Sequence, residues 1–549
     1  MFNDLRNNLR PRRLLLLVLT ATLGTCLLLW WWGTSAAQAP ADAPNSPQPT
    51  ATDAHLPRSP KHHASPADAA DHAGETAAAP AAQPEEELQP HVVILRDDAD
   101  YQRLRDWAAA NGFRLAGEIP RLHALRLLLT DAQYERLLRH SGVEATEETD
   151  TLVHLPDRSE KYPAWTGDAG PAFGDSYRRY LGVDTSDPER GRGVTIALLD
   201  TPVYRHHDLE NAAITNLSDS APPDNADADA ASHGTAVASI LVGDNGISNA
   251  ALLAYGIIDP ATGSAAAFEL AAAIVDAVDQ GADLISLSLG SYDDSAVLHD
   301  AVNYALANQV LLVAAAGNHG VEEICYPAAY DGVLSVGAID ANGNVSGFSN
   351  YGDGLALVAP GVGLQVAGTD DEYELFSGTS AAVPCVTAVL ANYLAANPSI
   401  SPSDAYAKLL QSCTDTEAPG YDPASGFGIL DAERLATADD TAVIDAAATG
   451  ITFDATTGKL TVTAQNTGTQ LLDRLELTTH INGVELTNAF NDISPGAIVS
   501  ATGELPPELL ERADALTVRT TVSTSDMTDE RPRNQTHRQT FDLNPDEDL

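Results

Sequence analysis

Four short segments, far apart in a chain of 549 residues, carry side chains that together could run acyl-transfer chemistry. They are Leu198-Leu199-Asp200-Thr201, Ser232-His233-Gly234-Thr235, Ala315-Ala316-Gly317-Asn318 and Ser377-Gly378-Thr379-Ser380-Ala381-Ala382-Val383-Pro384. A serine hydroxyl is a weak nucleophile, so Ser380 needs a neighbouring base. His233 can take its proton on attack and return it to the leaving group. Asp200 supplies a carboxylate that fixes the imidazole tautomer and stabilises the imidazolium. The tetrahedral intermediate carries negative charge on oxygen, and the Asn318 amide and the Ser380 backbone N–H are donors suited to it. Each segment alone reads as an ordinary turn or cap; all four in this order point to one site.

The local sequence dictates how these groups are held. Val194-Thr195-Ile196-Ala197-Leu198-Leu199 is a short β-branched apolar run, the pattern of a strand buried on both faces, and it delivers Asp200 at its carboxyl end. Open α/β sheets place their sites at that end. Val310 to Ala316 is a second such run and delivers Asn318. After Ser380 an apolar stretch of helical length, Val386 to Leu394, is closed by Asn397-Pro398. Ser380 is therefore expected at a helix amino end, with Pro384 in the first turn, where a missing N–H costs nothing.

The chain order Asp, His, Ser is distinct from the orders of chymotrypsin-like enzymes and α/β-hydrolases. From about Gly182 to Ala438 the chain resembles the subtilisin-like serine proteases, the subtilases. The resemblance implies an α/β fold, a parallel β-sheet with helices on both faces, and serine endopeptidase activity on extended protein or peptide substrates. It implies roles for Asp200, His233 and Ser380 as the triad and for Asn318 as oxyanion donor. Ser286-Leu287-Ser288-Leu289-Gly290 is similar to the family's substrate strand, and Tyr255 to Ser264 leads into the opposite one. Ser288, Leu289, Gly290, Ala316 and Gly317 are thereby assigned to substrate binding. Tyr326-Pro327-Ala328 matches a family motif, which puts Cys325 at the floor of the primary specificity pocket, or packed away from it. At the floor, the thiol would select small or medium apolar residues.

Several positions depart from the family pattern. Pro202 stands where Gly is usual, His206-His207-Asp208-Leu209 replaces His-Pro-Asp-Leu, and Ala381-Ala382 and Cys385 replace Met-Ala and His near the nucleophile. The chemistry requires no cofactor and no metal. Structural calcium is common in the family, but the loop Val242 to Ile247 is short here and Asp208 is the one residue that could remain from such a site.

Upstream, Arg10, Arg12 and Arg13 precede a membrane-compatible run at residues 14–32 that ends in Trp30-Trp31-Trp32. Residues 1–37 are thus a signal peptide or an amino-terminal membrane anchor, and the rest is exported, to be secreted, periplasmic or held at the cell surface. Residues 38–90 are rich in Ala, Pro, Asp and His and read as a disordered linker. Residues 91–150 read as strand, helix, strand, strand, helix, strand. Tyr101, Leu104, Trp107 and Ala108 form one helix face, Gly112 ends that helix, and Thr130 to Gln133 form a capping box. Order and position are similar to the subtilase propeptide, an intramolecular inhibitor, and self-cleavage is expected between Glu148 and Ala164.

The catalytic domain is expected over 160–438 and an immunoglobulin-like β-sandwich over 445–545, where alternating runs flank Asn482-Gly483, a hairpin signal. A formal charge of −47 argues against nucleic acid and anionic lipid as partners. Cys325, Cys385 and Cys413 lack metal-ligand spacing, and the sequence does not say whether any two pair. The alternative to an enzyme is a surface-binding protein on an inactive subtilase scaffold.

Overall fold

The computed structural model describes residues 88–543 except 141, 148–150, 157–160, 162–165, 216–226, 370, 511–514, 525–527, 530 and 532–533. The run at 14–32, nearly all of the linker and most of the interval 148–164 lie outside the described residues.

The first module follows the expected order: β1 (Gln89–Leu95), α1 (Asp98–Ala110), β2 (Arg114–Ile119), β3 (Ala124–Leu129), α2 (Asp131–Leu137) and β4 (Val143–Glu147). Its antiparallel sheet runs β2-β3-β1-β4. Gly112, at φ 71°, turns the chain after α1, and Thr130 and Gln133 form the reciprocal cap that opens α2. Tyr101, Leu104 and Leu137 pack against Leu125 and Leu127 in a small core of their own. The module docks by adding Val92, Ile94 and Ile119 to the main apolar core and through Glu147, whose carboxylate accepts from Ser295 Oγ at 3.1 Å and Val297 N–H at 3.3 Å. These donors open a helix, where a negative charge is stabilised.

The central layer contains β5 (Leu152–His154), α3 (Tyr177–Leu181), β6 (Thr195–Asp200), β7 (Ile214–Thr215), α4 (Ala228–Val242), β8 (Ala251–Gly256), β9 (Ser264–Ala266), α5 (Ala267–Asp279), β10 (Leu284–Leu287) and α6 (Ala296–Ala307). It continues with β11 (Leu311–Ala315), β12 (Leu334–Ile339), β13 (Leu357–Pro360), β14 (Leu364–Ala367), β15 (Tyr373–Phe376), α7 (Thr379–Ala396), α8 (Pro402–Gln411) and α9 (Ala432–Ala436). Seven strands form one parallel sheet ordered β13-β12-β11-β10-β6-β8-β7. Its middle strands are apolar on both faces because helices cover both, as Leu198, Ile285, Leu312 and Val313 show by complete burial. Helix α7 has the length and hydropathy of a membrane span, yet 78% of its apolar window is buried in this core.

One local expectation is corrected. Helix α7 begins at Thr379, so Pro384 is its sixth residue, in the second turn and not the first. Proline there leaves the carbonyl of Ser380 without its usual helical donor. Ser288 Oγ–H donates to that oxygen at 2.9 Å, which lets the helix tolerate the proline.

The carboxyl-terminal region is all β. It comprises β16 (Ala446–Asp454), β17 (Lys459–Asn466), β18 (Leu472–Ile481), β19 (Val484–Ile493), β20 (Ile498–Glu504), α10 (Pro507–Leu510), β21 (Ala515–Thr524) and β22 (Thr536–Asp542). Two antiparallel sheets, β16-β17-β20 and β19-β18-β21-β22, share one apolar core that includes Val462, Leu475, Leu477 and Val518. Asn482 and Gly483, at φ 45° and 85°, make the two-residue turn between β18 and β19. Arg531 fastens this region to the central layer. It donates to Asp445 Oδ2 at 3.0 Å and lies 3.3 Å from the Glu433 carboxylate on α9.

Candidate active site

Asp200 closes β6 and is completely buried. Its Oδ1 accepts from His233 Nδ1 and from the Thr201 N–H, each at 2.7 Å. Two donors on one carboxylate oxygen hold it in the ring plane and fix the imidazole proton on Nδ1, leaving Nε2 as the basic nitrogen. His233 lies within α4, brought close to β6 by Gly234. A Cβ on that glycine would sit 2.2 Å from the Thr201 carbonyl oxygen. The Gly234 N–H donates to Thr201 Oγ1 at 2.8 Å, so Thr201 positions both partners of the pair. On the open side the Phe376 ring stands edge-on to His233, with centroids 5.2 Å apart.

Asn318 follows β11 through Gly317, whose φ of 115° suits glycine. The Asn318 Oδ1 accepts from the backbone N–H and the hydroxyl of Thr379, both at 2.8 Å. This assigns the amide: its oxygen is occupied, and Nδ2 is left to donate. Thr379 was not singled out from the sequence, although it lies directly before Ser380. Ser380 is the second residue of α7, where backbone N–H groups have no partner within the helix. His233, Asn318, Ser377 and Ser380 line one cleft of about 250 Å3. His233 Nε2 is buried without a hydrogen-bond partner among the described residues. Such contacts are commonly long before substrate arrives.

The remaining predicted residues do not line this cleft themselves. Ser288 reaches Ser380 as described, whereas Leu289 is completely buried in the main apolar core. Cys325 N–H donates to the Ala316 carbonyl at 3.0 Å. A Cβ on Gly290 would lie 2.8 Å from Cys325 Cβ, and one on Gly317 would lie 2.8 Å from its Sγ. Gly290 and Gly317 thus each abut Cys325, and both glycines are needed for the approach. Burial pushes the Cys325 thiol up to about 12 and keeps it protonated. Cys325, Cys385 and Cys413 are all free and buried.

The segment before the catalytic layer also lies here, and its described residues 151–156 fall within the interval in which self-cleavage is expected. Strand β5 pairs with β9, His154 pairs with Gly290, and Leu155 lines the cleft.

Among the described residues one group offers three metal-type ligand atoms within 4.8 Å of one another: His206, His207 and Asp371. His206 Nδ1 accepts from the Asp208 N–H at 3.0 Å, which places its proton on Nε2, 3.2 Å from the Glu372 carbonyl. Neither ring nitrogen has a spare lone pair, and the residues do not fit a metal in this arrangement. Asp208 Oδ1 is engaged as well, by Asn245 Nδ2 at 2.8 Å and Tyr373 OH at 3.0 Å.

Comparison with known proteins agrees with this geometry. The profile of the Subtilase family matches residues 191–428. The chain is 36% identical over 249 residues to alkaline elastase YaB of Bacillus sp. (strain YaB), covering 44% of this chain and 64%, under two thirds, of that relative. It is 31% identical over 363 residues to a thermostable alkaline protease of Halalkalibacterium halodurans, covering 65% of this chain and 94% of the relative. Among solved structures, the epidermin leader peptide processing serine protease of Staphylococcus aureus superposes with a TM-score of 0.51 at 20% identity. That match covers 65% of this chain and 100% of the other, and shows a shared fold.

Proposed function

The chain belongs to the subtilase family, and from that premise we propose that it is an exported serine endopeptidase, made as a self-processed precursor, that cleaves extended protein substrates. The observation that carries this reading is the 2.7 Å contact between Asp200 and His233 in a cleft shared with Ser380 and Asn318.

Ser380 Oγ adds to the substrate carbonyl carbon while His233 Nε2 takes its proton. Asp200 steadies the imidazolium through Nδ1–H. Asn318 Nδ2 and the Ser380 N–H meet the oxyanion, and the amino end of α7 adds partial positive charge. Collapse expels the amine, which collects the proton from His233. Water then repeats the sequence on the acyl-enzyme. Substrate adds as a strand beside residues 288–290, so main-chain pairing binds many sequences and pockets select among them. The buried, protonated thiol of Cys325 beside Gly290 and Gly317 supports a preference for small or medium apolar residues before the scissile bond. A peptide library cleaved best after Lys, Arg or Asp would refute that preference.

Residues 91–150 act as the propeptide in this reading, and residues 445–545 form an immunoglobulin-like sandwich for binding or spacing. The charge of −47 supports export and the exclusion of nucleic acid as a partner. Residues 14–32 serve as signal or anchor. No cofactor enters the chemistry, and no calcium site is assigned. Labelling with a serine-directed fluorophosphonate tests the enzyme reading. Folded wild type incorporates the probe and Ser380→Ala does not; absence of Ser380-dependent labelling rejects it.

A further inference from the structure

Residues 151–156 run between β9 on one side and the segment at Gly290 on the other. On one side Leu152, Val153 and His154 pair with Ala266, Ala265 and Ser264, and the Leu155 N–H donates to the Gly263 carbonyl at 3.1 Å. On the other side His154 exchanges both backbone hydrogen bonds with Gly290, each at 2.8 Å. In an antiparallel ladder such doubly bonded pairs recur at every second residue, so the next pair toward the nucleophile sets residue 156 opposite Ser288. That residue is Pro156, which has no N–H to give. Its carbonyl oxygen accepts from the backbone N–H of Asn318 at 3.3 Å, and Leu155 shares the cleft with His233 and Ser380.

We infer that the peptide bond on the carboxyl side of Pro156 is the one the precursor cuts in itself, and that proline at this position slows the cut and keeps the enzyme latent. The inference rests on the protease reading above and names the regulation of that site. In the step, Ser380 Oγ bonds to the Pro156 carbonyl carbon and its proton passes to His233. The C–N bond to residue 157 breaks, and the departing amine takes the proton. Water then hydrolyses the ester, leaving a Pro156 carboxylate. The ladder that aligns the reacting carbonyl lacks its final hydrogen bond, and the pyrrolidine ring, by fixing φ near −65°, limits how far the backbone can shift to make up for it. A strap that pairs well but reacts slowly occupies the cleft as an inhibitor.

The test follows processing of the purified full chain by intact mass and amino-terminal sequencing. Wild type yields its first new amino terminus at Asp157, slowly and at a rate independent of protein concentration. Pro156→Ala and Pro156→Leu restore the N–H and cut roughly three- to tenfold faster, the worth of one backbone hydrogen bond. Ser380→Ala does not cut. A first terminus elsewhere, or variants of Pro156 that cut no faster than wild type, overturns the inference. Ser380-dependent fluorophosphonate labelling in the same samples then leaves the protease reading standing. Folded protein that neither cuts nor labels overturns both.

Discussion

The Ser288 hydroxyl donates a 2.9 Å hydrogen bond to the backbone carbonyl of Ser380, joining the segment that follows β10 to the first turn of α7. Without it, Pro384 would leave that buried carbonyl unpaired. Ser288→Ala is expected to cost about 1–3 kcal/mol of stability, the desolvation of one unsatisfied buried acceptor. Turnover should fall as well, because the Ser380 backbone loses an anchor. Thermal unfolding and kcat with a chromogenic peptide read the two effects separately.

Gly234→Ala should abolish activity while the rest of the protein stays folded. The new Cβ would lie 2.2 Å from the Thr201 carbonyl, and backbone on both sides must shift. The shift separates His233 from Asp200. Fluorophosphonate labelling falls to the Ser380→Ala level, with the far-ultraviolet circular dichroism unchanged; an active Gly234→Ala would show that the approach is slack.

Asn318→Ala removes the amide whose orientation Thr379 fixes. The expected loss is about 10²- to 10³-fold in kcat with little change in KM, a magnitude taken from the corresponding amide of subtilisin itself. Thr379→Val should fall in the same direction by less, since it keeps the backbone donor and loses the hydroxyl. A drop confined to KM would contradict the oxyanion assignment.

Asp415 lies at the junction with the carboxyl-terminal sheets, 3% exposed, and burial pushes its carboxyl up to about 7. A carboxyl raised above its unfolded value near 3.8 favours the folded state at low pH, and that stabilisation is lost as pH rises through about 7. Buried His537, held down to about 4, works in the opposite sense: its stabilisation is present above about 6.5 and is lost as pH falls through about 4. Asp415→Asn isolates the first effect. It should stabilise the protein by on the order of 1–2 kcal/mol at pH 8 and have little effect near pH 4, read as the difference in unfolding free energy between variant and wild type.

Much of the site was legible because it depends on short-range signals. The β-branched run before Asp200 predicts a buried strand and places the carboxylate at its end, and the strand observed is Thr195–Asp200. Asn318 follows from the same pattern. The amino end of α7 at Ser380 was legible, but its first residue was not fixed closely enough to place Pro384, since Thr379 to Ala382 carry no strong helical periodicity and the apolar run begins only near Val386. Pro384 therefore looked like a first-turn residue. The hydroxyl that compensates for it comes from Ser288, 92 residues away, and no local pattern reports such a contact. Similarly, the pairing of His154 with Gly290 spans well over a hundred residues of chain. The resemblance assigns Leu289 to substrate binding, and the complete burial of its side chain in the main core depends on packing that the sequence does not spell out.

Arg531 has a consequence for the protein's working lifetime. Its guanidinium lies between Asp445, at 3.0 Å, and Glu433, at 3.3 Å, and is itself almost fully buried. Removing one member of a buried ion pair typically costs about 3–5 kcal/mol, because the partner's charge is stranded. Proteolytic clipping between α9 and β22 that released Arg531 would strand Asp445 and loosen the end of the central layer. Among proteases the carboxyl-terminal sheets would then set the half-life of the central layer, and nicking there would act as an expiry mechanism.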